Sequence, residues 1–115
     1  MARGEILLVA LPDSNKREEK GNRPAIAVQT DGTGMTSPML MVVPITSALS
    51  ASRFPYTVRI EPSQENGLTL SSVAMVFQMR AIDRKRIIRK IGMLEREYLQ
   101  QINQSIQEML LPSED

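Results

Sequence analysis

Residues 24–45 read PAIAVQTDGTGMTSPMLMVVPI, and their grouping decides the fold. Two apolar stretches of strand length, 24–30 and 39–45, flank the Gly-rich turn 31–38, DGTGMTSP. Neither stretch shows helical spacing of its apolar residues, and glycines with a proline mark the turn between them. The segment therefore reads as a hairpin of two buried β-strands. Pro24 fits the first position of the leading strand, where no ladder N–H is required.

Working outward, residues 5–11, EILLVAL, form another strand-length apolar run, ended by Pro12 and Asp13. The polar loop DSNKREEKGN, 13–22, joins it to the hairpin. Beyond the hairpin comes a second polar loop, TSALSASRFP, 46–55. YTVRI, 56–60, alternates like a half-exposed strand, and EPSQENG, 61–67, is a turn. Residues 68–79, LTLSSVAMVFQM, give one or two further strands. Asp83 is placed to cap a short helical turn in AIDRKRI. IIRKI, 87–91, reads as a last strand ended by Gly92.

From Leu94 the pattern changes. Leu94, Tyr98, Ile102, Ile106 and Met109-Leu110 recur about once per helical turn, with Glu, Arg and Gln on the other faces. Pro112 ends this amphipathic C-terminal helix. The expected fold is mainly β with one C-terminal helix: a small, strongly bent sheet or partly open barrel with the helix against it. A chain of 115 residues suits one domain, here 1–115.

Composition narrows the chemistry. Hydrophobic residues make up 42%, enough for one core, and eight methionines suit adaptable packing. There is no Cys and no His, so disulfides, Cys/His zinc sites and a histidine base are all excluded. The start MARGEILLVALPDSNK does not read as a signal peptide, since Glu5 interrupts a short apolar run. No apolar run approaches the ~20 residues that span a membrane, so a cytoplasmic protein is expected. Net charge is only +1, yet six of the fourteen Lys and Arg fall between Arg80 and Lys90. That local excess matters more than the sum.

The order of several motifs carries a resemblance. RGEILLVALPD opens the chain, GNRPAIAV follows the charged loop, and VVPITS closes the third strand. NGLTLSSVAMVFQMRAIDRKRIIRKIG then supplies a Gly-Leu turn, a strand with Gln, Arg-x-Ile-Asp and a closing Ile-Gly. Together, over residues 3–110, these resemble the MazF/PemK family of toxin–antitoxin ribonucleases. The resemblance implies the small Src-homology-3-like β-barrel shared with the CcdB-type gyrase poisons. It further implies a homodimer that cuts single-stranded RNA at selected sequences without a metal or other cofactor, and a cognate antitoxin as partner. A non-catalytic or gyrase-poison-like binder on the same barrel is the second expectation.

Cutting RNA without a metal uses the 2′-hydroxyl as nucleophile, a base to take its proton, and fixed donors for the phosphorane-like transition state. Arg23 matches the family's Gly-x-Arg-Pro arginine, and its planar fork suits a scissile phosphate. Thr46 matches the threonine of Pro-Ile-Thr-Ser, where a hydroxyl can donate to phosphate or hold the 2′-hydroxyl in line. Ser47 is an assisting candidate, or a loop cap like Thr46 itself. Arg17 stands where some relatives carry a loop His or Ser, and Glu18 and Glu19 are the carboxylates nearest in sequence. Relatives carry an acidic residue before the later glutamine, whereas Phe77 precedes Gln78 here. Gln78 is a candidate for reading a base edge or orienting the substrate. Arg80, Arg84, Lys85 and Arg86 are candidates for the RNA backbone, with a plain solvated basic face as the alternative. Phe54 and Tyr56 can stack on unpaired bases, with anchoring of their loop or contact between subunits as the favoured alternatives.

Overall fold

The hairpin at 24–45 forms because both its strands are apolar on two faces. In the computed structural model, which describes residues 2–10, 21–30 and 37–111, they are β2, Asn22–Ala27, and β3, Met39–Thr46. They pair antiparallel, with Ala25 opposite Pro44 and Ala27 opposite Val42. Ahead of them lies β1, Glu5–Ala10. After them come β4, Thr57–Ile60, β5, Ser72–Met75, β6, Arg80–Asp83, β7, Ile87–Met93, and helix α1, Arg96–Leu110. Three 3₁₀ turns link them, at Leu49–Arg53, Val76–Gln78 and Arg84–Arg86.

The seven strands form one antiparallel sheet in the order β4-β5-β3-β2-β1-β7, with β6 also paired to β3. The long strand β3 organises the bend. On one side it pairs β2; on the other it pairs β6 as far as Val42, then β5 from Ile45. Pro44, which has no N–H to give, falls in the gap between those two pairings. Two register shifts between β1 and β7 bend the opposite end of the sheet.

Alternation of side chains then makes two cores. Ile6, Ile26, Val43, Ile45, Ile60 and Val76 face α1, which contributes Ile102 and, at its edge, Tyr98, Leu99, Ile106 and Met109. Leu7, Val9, Ala25, Ala27, Leu40, Val42 and Ile82 fill the second core, with Ile87 packed against it. The 3₁₀ turn Arg84–Arg86 joins β6 to β7 and so closes the curl around this second core. The bent sheet with one packed helix agrees with the sequence expectation, and the buried helical stripe is the expected one. Leu110 departs from it, at 59% exposure, in the same last turn from which Met109 packs against the core.

Several boundaries differ from expectation. β2 begins two residues earlier, at Asn22, so Pro24 is its third residue. Its ladder to β3 starts only at Ala25, so the missing N–H of Pro24 breaks no pairing there. Residues 68–79 hold one strand, β5, followed by the turn Val76–Gln78, so Gln78 lies in a 3₁₀ turn and not on a strand. Arg80–Asp83, read only as an approach to the Asp83 cap, is the strand β6. The cap itself forms, with Asp83 Oδ1 accepting from the Lys85 N–H at 2.9 Å. Gly92 sits inside β7 instead of ending it. A Cβ there would lie 2.5 Å from the Asn66 carbonyl, so the strand needs glycine to pass that turn.

Candidate active site at the ends of the second and third strands

Arg23 is the second residue of β2, paired with Val9 of β1 and half-buried. Its alternation partners Ala25 and Ala27 belong to the second core, so its side chain starts from that face of the sheet. The β2–β3 ladder ends at Ala25 opposite Pro44, and Arg23 and Thr46 each lie two residues beyond that last pair, where Arg23 pairs with Val9 of β1 and Thr46 with Val73 of β5. The two residues singled out from different motifs thus stand across adjacent strand ends. Gly21 precedes them with φ +74°, a left-handed turn that brings the chain into β2.

Thr46 is the last residue of β3 and is partly exposed. Its Oγ1 accepts from the Ala48 N–H at 3.1 Å, the local capping bond that the sequence allowed. The O–H remains able to donate, so capping and phosphate contact are compatible. Ser47 is exposed and helps line a cleft of about 200 Å³ with Pro24, Ile45, Leu68, Thr69, Leu70 and Ser72. Pro24 and Ile45 alternate with Arg23 and Thr46 along their strands, so this cleft opens at the same strand ends but from the opposite face of the sheet.

The basic run does not gather on one element. Arg80 opens β6 and is exposed. The Arg84 N–H donates to the Pro38 carbonyl at 3.0 Å and its Nε donates to the Ser37 carbonyl, which ties the closing turn to the start of β3. Lys85 and Arg86 are exposed in the same turn, where Arg86 Nη1 reaches the Ala10 carbonyl at 3.4 Å. Lys90 pairs with Glu5 at 3.2 Å across β7 and β1. Arg17, Glu18 and Glu19 lie outside the described residues.

Two features were not legible as such. The first is the turn after β4, built on Asn66, which is fully buried. Its Oδ1 accepts from the N–H groups of Ser63 and Leu68, and its Nδ2 donates to the Glu61 carbonyl and to Glu95. Burial raises the pKa of the Glu95 carboxyl, but hydrogen bonds from the Ser63 hydroxyl, the Asn66 amide and its own backbone outweigh this and hold it below its ordinary value. The second is a contact between Phe54 and Phe77, whose ring centroids are 5.4 Å apart. No periodicity links positions that far apart in sequence. The Arg3 guanidinium belongs to the frame as well, donating from Nε to the Val28 carbonyl at 2.8 Å and from Nη2 to Asn103 of α1.

Comparison with known proteins supplies the context. Residues 2–110 match the family model described as PemK-like, MazF-like toxin of type II toxin–antitoxin system. The chain is 30% identical over 106 residues to the endoribonuclease MazF of Staphylococcus saprophyticus, covering 92% of this chain and 88% of that one. A MazE–MazF crystal structure from Deinococcus radiodurans superposes with a TM-score of 0.76 at 20% identity, over 98% of this chain and 97% of that one. An endoribonuclease in complex with its cognate antitoxin, from a mycobacterial species, gives 0.75 at 17% identity over 98% of both chains.

Proposed function

The chain belongs to the PemK-like, MazF-like toxins of type II toxin–antitoxin systems and is an endoribonuclease, and we propose that it cuts single-stranded RNA at selected sequences without a metal. The observation that supports the site is that Arg23 and Thr46, drawn from two separate motifs, both lie two residues beyond the last β2–β3 pair, at the same ends of adjacent strands. A guanidinium fork on one strand end and a donor hydroxyl on the next can hold two oxygens of a single phosphate.

In this mechanism the 2′-hydroxyl of the substrate attacks the adjacent phosphorus. Arg23 binds the non-bridging oxygens and stabilises the extra negative charge of the phosphorane-like transition state. Thr46 donates to a phosphate oxygen and keeps the attacking oxygen in line with the leaving 5′-oxygen. The 2′-hydroxyl loses its proton to a base, and the 5′-oxygen gains one. The products are a 2′,3′-cyclic phosphate and a 5′-hydroxyl. With no histidine in the chain, Glu18 and Glu19 are the carboxylates offered to the proton transfer, and Arg17, Ser47 and Gln78 are offered to substrate contact. Arg80, Lys85 and Arg86 are offered to the RNA backbone; Arg84 is offered with them, although its Nε also holds Ser37.

The proposal extends to the assembly. Residues 1–115 act as one toxin domain in the cytoplasm, as a homodimer held in check by a cognate antitoxin. Among the described residues no helix is long and apolar enough to cross a membrane. The reading as a non-catalytic or gyrase-poison-like binder is not the one favoured by the relatives, which are named as endoribonucleases. The test is incubation of the purified protein with mixed single-stranded RNA in EDTA, with the cleaved ends mapped. Defined fragments ending in 2′,3′-cyclic phosphate are expected. Uncut RNA would overturn the reading, and full cleavage by a folded Arg23→Ala variant would overturn the role of Arg23.

A further inference from the structure

The chain has only two phenylalanines, and both stand at the surface against each other. Phe54 is 42% exposed and Phe77 36%, although phenylalanine is among the residues most often buried. Their rings meet at 49°, a tilted aromatic pair, and the Arg53 guanidinium lies 4.8 Å from the Phe54 centroid. We propose that Phe54, Phe77 and Arg53 form a stacking platform for an unpaired base of the RNA substrate, close to the scissile phosphate.

The backbone holds this platform in place from both sides. Phe54 closes the turn Leu49–Arg53, donating its N–H to Ala51, and its carbonyl accepts from the Thr57 hydroxyl at 3.0 Å. Phe77 follows the fully buried Val76, which roots it in the core. The Phe77 N–H donates to the Tyr56 carbonyl at 3.3 Å, and Tyr56 holds φ +59° to allow it. Tyr56 is the one non-glycine residue with positive φ among the described residues. That conformation costs on the order of 1 kcal/mol for such a side chain and persists only where its surroundings impose it. The backbone beside each ring is thus fixed, Phe54 by its own turn and Phe77 by its bond to Tyr56.

The position relative to the strand ends favours RNA. Thr46 leads directly into the turn that ends at Phe54, and Thr46 pairs with Val73 of the strand that runs into Phe77. From Val73 to Met75, the last residue of β5, is two strand steps, about 7 Å, and the turn that carries Phe77 follows at once. A strand gripped at Arg23 and Thr46 would therefore carry a neighbouring base over the two rings. The chemistry points the same way. A base offers a flat π-face to the rings, and its phosphate offers a negative charge to Arg53. Every base has such a face, so the platform adds affinity and selects for unstacked, single-stranded RNA.

The inference rests on the ribonuclease reading, and its test keeps the two separable. Wild-type protein is first shown to cut a single-stranded oligoribonucleotide, and a 2′-O-methyl copy carrying 2-aminopurine at successive positions is then titrated. Quenching at one position near the cleavage site is expected. Phe54→Ala combined with Phe77→Ala should abolish that quenching and raise the KM for cleavage about tenfold, leaving kcat within about twofold. Phe77→Trp should restore both, which a purely structural role would not predict, and it serves if the double variant misfolds. If wild type cuts no RNA, the ribonuclease reading itself fails. If wild type cuts and the folded variants keep its KM and quenching, the platform alone fails. A changed sedimentation coefficient with unchanged RNA binding would assign the rings to contact between copies and overturn the proposal.

Discussion

The turn around Asn66 and the strand ends around Arg23 are both polar, but they spend their polarity differently. Asn66 is buried, and both ends of its amide are engaged within the chain. Ser63 and Glu95 complete that network, with the Ser63 hydroxyl donating to Glu95 Oε2 at 2.5 Å. At the strand ends, Ser47 is exposed and Thr46 uses only its acceptor. A saturated polar cluster fixes geometry; one with donors still on offer can bind something. The contrast separates the frame of this enzyme from its chemistry more sharply than residue type does.

Substitution can break the contrast from either side. The largest effect is expected from Arg23→Ala, which should lower cleavage about 10²–10³-fold per folded molecule, with the circular dichroism spectrum of the native fold retained. Asn66→Ala should do the reverse. Leaving the N–H groups of Ser63 and Leu68 and the carboxylate of Glu95 without their partner should cost about 3 kcal/mol by urea unfolding. Cleavage per folded molecule should stay close to wild type. A catalytic loss without a stability loss in Asn66→Ala would erase the distinction. Thr46→Val keeps the shape and removes the donor, so about a tenfold drop in cleavage is expected, with little change in stability.

The smallest effect is a pH dependence. The Glu95 pKa is depressed in the folded state from an ordinary value of 4.5, so its contribution to stability is present above that value. It is lost as pH falls from 4.5 through the folded pKa, where the carboxyl takes up a proton. Glu95→Gln should therefore flatten the acid side of a melting-point profile and leave its course above pH 6 nearly parallel to wild type. An unchanged acid limb would show that the network does not depend on the charge.

The parts of the molecule legible in its sequence are those governed by local repetition. The hairpin at 24–45 shows because apolar runs and a glycine-rich turn are local signals. The helix shows because Tyr98, Ile102 and Ile106 repeat on one face. The extension of β7 through Gly92 was hidden, since glycine ordinarily ends a strand and here makes room for a distant turn. The split of 72–83 into β5 and β6 was hidden as well. It reflects the point at which β3 exchanges partners, a property of the sheet and not of the segment. For the site, the motifs pointed to Arg23 and Thr46 separately, and only the strand pairing brings them to the same ends of β2 and β3. Phe77 looked like a departure without a role because its partner Phe54 lies in another loop.

The pairing of β1 with β7 also sets a clock. Glu5 lies opposite Met93, so the first strand made waits for nearly the last before that ladder can form. Contacts of such long range make folding slow compared with helical proteins of the same size. A nascent chain on the ribosome would hold Arg23 and Thr46 long before β7 arrived to close the curl around the core behind them. Synthesis of this nuclease would then precede its competence, and an interrupted translation would release no working blade.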